Sequence, residues 1–412
     1  MQTRLDPALS DTPQGREAED ILRKCVHCGF CLATCPTYNV VGDELDSPRG
    51  RIYLMKQMLE GGNVTDKTRH HLDRCLTCRA CETTCPSGVQ YGRLVDIGRE
   101  VAEARAPRPV TERVMRWGLR KVVSSTSLFS LATAAGRVAK PMLPDALARK
   151  LPAPRKGGVW PVTRHARSMI VLQGCVQPVL APDINAAFAR IMDALGVSVQ
   201  AAPSAGCCGA VSHHLSALDE SRERARQNID AWWPQIEAGA EAIVVTASGC
   251  GTHVREYGHL LAGDSVYAER AARVAALARD PAEILDAERE ALTRALKPAQ
   301  SSALPRVAFH SPCSLQHGLK IRGVVENLLR DAGYSLTAVP DSHLCCGSAG
   351  TYSLLQEALS QELLSRKVAA LQSGAPGVIA TANIGCLTHI ESGAQTPVQH
   401  WLELIASRLA GA

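Results

Sequence analysis

Sixteen cysteines in a chain of 412 residues fall into four groups of four. Cys25, Cys28, Cys31 and Cys35 form the first group, and Cys75, Cys78, Cys81 and Cys85 the second. Cys175, Cys207, Cys208 and Cys250 form the third, and Cys313, Cys345, Cys346 and Cys386 the fourth. The last two groups contain adjacent cysteines followed by glycine, in AGCCGAVS (205–212) and HLCCGSAG (343–350). Neighbouring Cα atoms lie about 3.8 Å apart across a trans peptide, short of the roughly 4.4–6.8 Å that a relaxed disulfide spans. A bond within either pair would be strained. Such thiols are packed as inert groups, used as a redox switch, or offered to a metal. Disulfide-rich scaffolds are short secreted chains, whereas this chain is long and opens without the apolar core of a secretory signal. Metal-bound thiolates in a reducing cytoplasm are the expectation.

The first two groups sit in CVHCGFCLATCP (25–36) and CLTCRACETTCP (75–86), each reading C-x2-C-x2-C-x3-C-P. That is the run of bacterial two-cluster ferredoxins, in which three close thiolates hold one [4Fe–4S] cube and the fourth reaches the other cube. The proline disfavours helix at the fourth cysteine and turns the chain away. The expected ligand sets are therefore Cys25, Cys28, Cys31 and Cys85 for one cluster, and Cys75, Cys78, Cys81 and Cys35 for the other. A pair of structural zinc sites is the competing reading of paired CxxC, but zinc needs neither the doubling nor the prolines. Two cubes in one small domain make a conduit for single electrons.

The elements that must position the other eight thiols repeat. Cys175 to Cys313 is 138 positions, Cys207 to Cys345 is again 138, and Cys250 to Cys386 is 136. Such constancy predicts a duplicated domain. Each copy alternates strand and helix. SMIVLQ, VSVQAAP and EAIVVTASGC read as strands of the first copy, with INAAFARIMDALG as a helix. RVAFHSPC, YSLTAVP and GVIATANIGC read as strands of the second, with GVVENLLRDAG as a helix. Alternation of this kind predicts an α/β domain with a parallel sheet, and open parallel sheets bind ligands beyond their strand C-termini, where all eight cysteines fall. Each copy also carries a CxxH, placing His253 after Cys250 and His389 after Cys386. Both histidines are candidate ligands or hydrogen-bonding groups of the fold. The pockets built on Cys175, Cys207, Cys208, Cys250 and His253, and on Cys313, Cys345, Cys346, Cys386 and His389, are candidates for a further iron–sulfur cluster or zinc, with packing and redox dithiols as alternatives. The first hundred residues lack β-rich stretches, so a helical ferredoxin domain is expected there.

The domain boundaries follow. Residues 1–105 form the helical ferredoxin domain, 106–165 a basic amphipathic linker, 166–293 the first Cys-Cys-Gly repeat and 305–412 the second. Residues 107–156 hold eleven cations against Glu112 and Asp145, a net +9 in a chain of net +5. The charge is a local patch rather than the footprint of a nucleic-acid binder. Trp117, Leu119, Val122 and Val123 can face lipid or protein while the Arg and Lys residues face anionic headgroups. No apolar run is long enough to span a bilayer. Neither a GxGxxG after a strand nor a Ser–His–Asp signature is present, so no nicotinamide, flavin or hydrolase site is read.

The double cysteine run, the DSPRGRIYLMKQMLEG between its halves, the two Cys-Cys-Gly repeats and the endings ATANIGCLTHIESG and PVQHWLELI together resemble the iron–sulfur subunits of bacterial glycolate oxidase (glycolate dehydrogenase). The resemblance covers nearly the whole chain. Its wider superfamily includes subunits of anaerobic glycerol-3-phosphate dehydrogenase, lactate-utilisation proteins and heterodisulfide reductase. The resemblance implies flavin-bearing partner subunits that oxidise glycolate to glyoxylate. It implies an electron-transfer role for this chain toward the quinone pool, at the cytoplasmic face of the inner membrane. In heterodisulfide reductase-like relatives the Cys-Cys-Gly domain ends in CxxC and holds an unusual iron–sulfur cluster. Here His253 and His389 stand where that last cysteine would be, a departure that counts against that cluster type and direct disulfide chemistry; the alternative functions are the same role in a lactate or glycerol-3-phosphate dehydrogenase and a heterodisulfide-type thiol–disulfide reductase.

Overall fold

A computed structural model describes residues 1–142, 151–298 and 304–410. Within the basic stretch, residues 143–150, with Asp145, Arg149 and Lys150, lie outside the described residues, as do residues 299–303 of the segment between the repeats. The chain divides into two compact units. One comprises Met1–Trp117, His213–Ser216 and His343–Lys367, and the other Gly118–Ser212, Ala217–Ser342 and Val368–Ala412.

The first unit is helical, as the lack of β-rich sequence predicts. Its helices start where local chemistry dictates. Thr12 caps Pro13–Lys24 by accepting from Gly15 N–H, and Ser47 caps Pro48–Leu59 by accepting from Gly50 N–H, each with proline at the first position. Thr65 and Thr68 form a capping box at the start of Asp66–Asp73. The helix Tyr91–Arg105 closes the bundle. Ile21, Leu22, Ile52, Met55, Leu72, Leu94 and Val95 make a dry core, and Cys25, Cys75 and Cys81 are packed into it.

The second unit holds two parallel sheets. β1 (Arg167–Val171), β2 (Val197–Ala201), β3 (Ile243–Val244) and β4 (Ala278–Arg279) are ordered β2-β1-β3-β4. β1 pairs with β2 from Arg167↔Val197 to Val171↔Ala201, and with β3 through Ile170↔Ile243. The helices Asp183–Ala194 and Leu218–Glu237 make the crossovers. Because β2 and β3 flank β1 on opposite sides, the C-terminal ends of β1 and β3 form a topological switch point. The second sheet has β5 (Val307–His310), β6 (Val378–Thr381) and β7 (Val398–His400) in the order β5-β6-β7. The two copies meet through Ser248 Oγ and Ser314 Oγ at 2.8 Å and through His400 Nε2, 3.2 Å from the Thr246 carbonyl oxygen.

The fold class is thus a helical dicluster domain followed by two α/β cysteine-rich domains. Three details differ from the sequence expectation. YSLTAVP is no strand: Leu336 makes a single parallel bridge to Val307 before the chain leaves toward Pro340. EAIVVTASGC contributes only two strand residues, because the chain turns into the helix Ser248–Arg255. The edge strands β4 and β7, two and three residues long, are too short to show a period in sequence.

Candidate metal centre

The two ferredoxin-type loops share one backbone solution. The third and fifth residues of each motif take left-handed φ: His27 (+55°) and Gly29 (+86°) in the first, Thr77 (+52°) and Arg79 (+59°) in the second. Three of these are not glycine, so each loop stores strain, on the order of 1–3 kcal/mol per residue. Such alternation turns successive N–H groups toward one centre; the Thr77 N–H points at Cys75 Sγ from 3.4 Å. At the far end of each motif Cys35 (φ −85°, ψ 113°) and Cys85 (φ −74°, ψ 114°) are extended, as a residue before proline must be.

These conformations bring cysteines of both motifs to one place. One cavity is lined by Cys25, Cys28, Cys31, Cys81 and Cys85, with Val26, Phe30, Ile52 and Val89 among its walls. Burial pushes the Cys25 thiol up, and the nearby Cys85 and Cys28 thiols add to the rise. Burial pushes Cys31 to about 11. Burial, then Cys78, Cys75 and later Cys35, hold Cys81 well above the ordinary thiol range. A buried pocket that keeps its thiols neutral admits several thiolates only around a cation, so the donor set fits a cationic iron–sulfur core.

The first repeat gathers its four cysteines at the switch point. Cys175 follows β1, Cys207 and Cys208 follow β2, and Cys250 lies in the helix after β3. All four sulfurs interact. Hydrogen bonds from Cys175 and Cys208 stabilise a thiolate on Cys207, while Cys175 and Cys208 are pushed up, chiefly by their bonds to Cys207. Cys250 bonds to Cys208 in turn. Four soft donors sharing protons in a buried pocket fit a thiophilic metal or cluster. The loop is held from outside. Asn228 Nδ2 donates to the Cys207 carbonyl at 3.0 Å, Tyr257 Oη donates to the Cys208 carbonyl at 2.8 Å, and the Gly206 N–H donates to Asn228 Oδ1. The buried Ser124, from the linker, sits beside Cys207 and favours its thiolate.

The glycine after each cysteine pair has a visible reason. Gly209 and Gly347 both have φ +90°, and their N–H groups point at Cys207 Sγ and Cys345 Sγ, each from 3.4 Å. A side chain at Gly347 would meet the Ser360 carbonyl oxygen at 2.7 Å, and Ser360 Oγ donates to the Gly347 carbonyl at 2.9 Å. Cys345 and Cys346 are buried in the first unit, where Tyr352 donates to the Arg74 carbonyl at 3.1 Å. Cys313 and Cys386 follow β5 and β6 in the second unit. Asn383 Nδ2 approaches Cys386 Sγ at 3.6 Å.

The histidines are placed differently. His253 is buried, with Nε2 3.1 Å from Ser221 Oγ and its ring edge-on to Tyr257. His389 is buried in the helix Ile384–Glu391. A third histidine was missed: a ring nitrogen of His310, the last residue of β5, lies within 4.8 Å of Cys386 Sγ. The repeat offset gives no signal for it, since the position 138 residues earlier is Leu172.

The linker differs from the expected arrangement in two of its cations, Arg108 and Arg116, which are buried. In the helix Val110–Val123, Arg116 is buried against Glu112 and Asp73, and Arg108 reaches Asp73, Glu103 and Glu112. Arg120 and Lys121 contact Glu220. Val110, Val114, Met115 and Trp117 are exposed instead. Among the described residues no helix is long and apolar enough to cross a membrane.

Residues 21–89 match the family model described as a 4Fe-4S dicluster domain, and residues 169–255 and 307–391 match the cysteine-rich domain model. The chain is similar to the glycolate oxidase iron-sulfur subunit of Escherichia coli (strain K12), with 53% identity over 413 residues and 99% of both chains covered. It is 30% identical to the probable glycolate oxidase iron-sulfur subunit of Bacillus subtilis (strain 168), over 92% of this chain and 90% of that one. Lactate utilization protein A of Bacillus licheniformis is 25% identical over 57% of this chain and 97% of its own. With the dicluster loops, the duplicated cysteine-rich domains and full-length similarity in agreement, this chain belongs to the family of glycolate oxidase iron–sulfur subunits.

Proposed function

We propose that this chain takes electrons from flavin-bearing partner subunits, which oxidise glycolate to glyoxylate, and delivers them toward the quinone pool. Cys25, Cys28, Cys31 and Cys85 would hold one [4Fe–4S] cluster, and Cys75, Cys78, Cys81 and Cys35 the other. The observation that supports this reading is the cavity that Cys85, from the second motif, lines together with Cys25, Cys28 and Cys31, with Cys35 near enough to Cys81 to raise its thiol. When bound, each cube accepts and releases a single electron. The protein's part is to exclude water from the thiolates and to fix them by strained loops. The first repeat's four sulfurs would hold a further cluster or a zinc ion. We also place the complex at the cytoplasmic membrane face, with the exposed Val110–Trp117 stretch supplying the apolar contact.

The test is native purification followed by partner identification, iron and zinc analysis, and assay with glycolate and D-lactate using an artificial acceptor. Glycolate turnover is expected of the complex and not of this chain alone. Turnover by the flavin-free chain, or a complex active on D-lactate only, would overturn the proposal. In the same preparation Cys35→Ser is expected to perturb the cluster built on Cys75, Cys78 and Cys81. Damage confined to the Cys25, Cys28 and Cys31 signal would refute the crossing.

A further inference from the structure

The two quartets of the helical unit sit in unequal electrostatic surroundings. Arg51, 1% exposed, lies on the Cys35 and Cys75 side. Its Nη1 approaches Cys35 Sγ at 4.0 Å and donates to Thr37 Oγ1 at 3.1 Å, and its Nε donates to the His71 carbonyl at 2.7 Å. Thr37 Oγ1 is itself 3.3 Å from Cys35 Sγ, and Tyr91 Oη lies 3.7 Å from Cys75 Sγ. Arg99, also buried, donates to the Cys75 carbonyl at 2.7 Å and to Thr77 Oγ1 at 2.9 Å.

Counter-charges face the same region. Asp46, fully buried, accepts from Arg51 at 3.2 Å and from Arg74 at 2.7 Å, with His71 Nδ1 at 3.1 Å. Two guanidiniums share that one carboxylate, which leaves a net positive charge. Asp96, 3.9 Å from Arg99, is drawn to His213 and His214 as well.

The other quartet lacks such a buried cation among the described residues. Arg49 acts on Cys31 but is a third exposed and bound to Glu44 at 2.8 Å. The terminal ammonium reaches the Cys25 carbonyl at 3.0 Å from a partly buried position. Cys28 is exposed, and so are Val26 and Phe30 beside it.

Adding an electron to a thiolate-ligated cluster makes it more negative. Buried positive charge and hydrogen bonds to the sulfurs therefore raise its potential. We propose that Arg51, Thr37 and Tyr91 are positioning residues that make the cluster on Cys75, Cys78, Cys81 and Cys35 the more readily reduced of the two. This rests on the two-cluster reading above.

The test is a potentiometric titration of the full-length chain, loaded anaerobically and followed by electron paramagnetic resonance. Cys78→Ser first assigns one signal to its quartet. In the wild type the assigned signal should appear at the higher potential. Tyr91→Phe deletes a single hydroxyl and should move that step downward with iron content unchanged and the other step unmoved. Thr37→Val should do the same, and Arg51→Met more strongly, with Arg51→Lys restoring most of the shift. Should Arg51→Met fail to load iron, the two milder variants still decide. A wild type in which the assigned signal is the lower one, or milder variants that leave its potential unmoved, would overturn the inference. Absence of two cubane signals in loaded wild type would instead sink the two-cluster reading itself.

Discussion

Asp280 shows how one carboxyl links pH to stability. It caps the helix Pro281–Ala287, with Oδ1 accepting from Ala282 N–H at 2.9 Å. Its other oxygen is buried without a hydrogen-bond partner. Burial pushes the carboxyl from its ordinary 3.8 up to about 7, aided by Glu283. A carboxyl raised on folding binds its proton more tightly in the folded state, so stability is lost as pH rises from about 4 toward 7. Asp280→Asn keeps a capping oxygen and removes the ionisation. The variant should be more stable than wild type at pH 8, by on the order of 3 kcal/mol, and the gap should close near pH 4. Denaturant unfolding at both pH values checks this; a gap that grows toward acid would contradict it. At this scale legibility was uneven. The ferredoxin-type cysteines announced themselves because their spacing is local. Arg51, Asn228, Tyr257 and His310 did not, because each reaches its cysteine from a distant element. Arg51 looks like one more surface cation in RGRIY until the fold buries it.

At the scale of elements, the repeat was readable because its cysteines keep their offsets while the intervening sequence drifts. The strands were less so. YSLTAVP carries β-type residues yet forms one bridge, since pairing depends on where β5 runs and not on propensity. The linker was legible in part: Trp117 is exposed as the pattern allows, but Arg108 and Arg116, expected to face outward, are buried. Asp73 and Glu112 take Arg108 and Arg116 inward; Glu112 is a helix neighbour four residues from each, but no local rule predicts the distant Asp73. The Cys-Cys-Gly loops give a sharper comparison. Gly209→Ala would place a methyl 3.1 Å from Ser221 atoms, whereas Gly347→Ala would meet the Ser360 carbonyl at 2.7 Å and Leu363 Cβ at 2.9 Å. Both pay for positive φ, about 1 kcal/mol, but only the second also drives a loop off its helix. Gly347→Ala should therefore lower the unfolding midpoint clearly more than Gly209→Ala; equal or reversed losses would show that the helix beside Gly347 yields.

At the scale of the whole molecule, exposed Val110, Val114, Met115 and Trp117 concentrate apolar surface where a chain acting alone would place polar groups. Replacing Val114 and Trp117 by serine should shift the complex toward the soluble fraction at least severalfold, with iron content and cluster spectra unchanged. Fractionation indistinguishable from wild type would assign that surface no part in attachment. The distribution of the sixteen thiols also bears on how the molecule is made. Each ferredoxin-type loop brings three thiols within seven consecutive residues, so a nascent chain can begin to hold iron before its tertiary structure exists. The first repeat's thiols span 75 positions and meet only once β2 and β3 have docked on β1. Biogenesis therefore has an inherent order: the helical centres can be seeded early, whereas the metal or cluster proposed for the first repeat would have to wait for a finished fold.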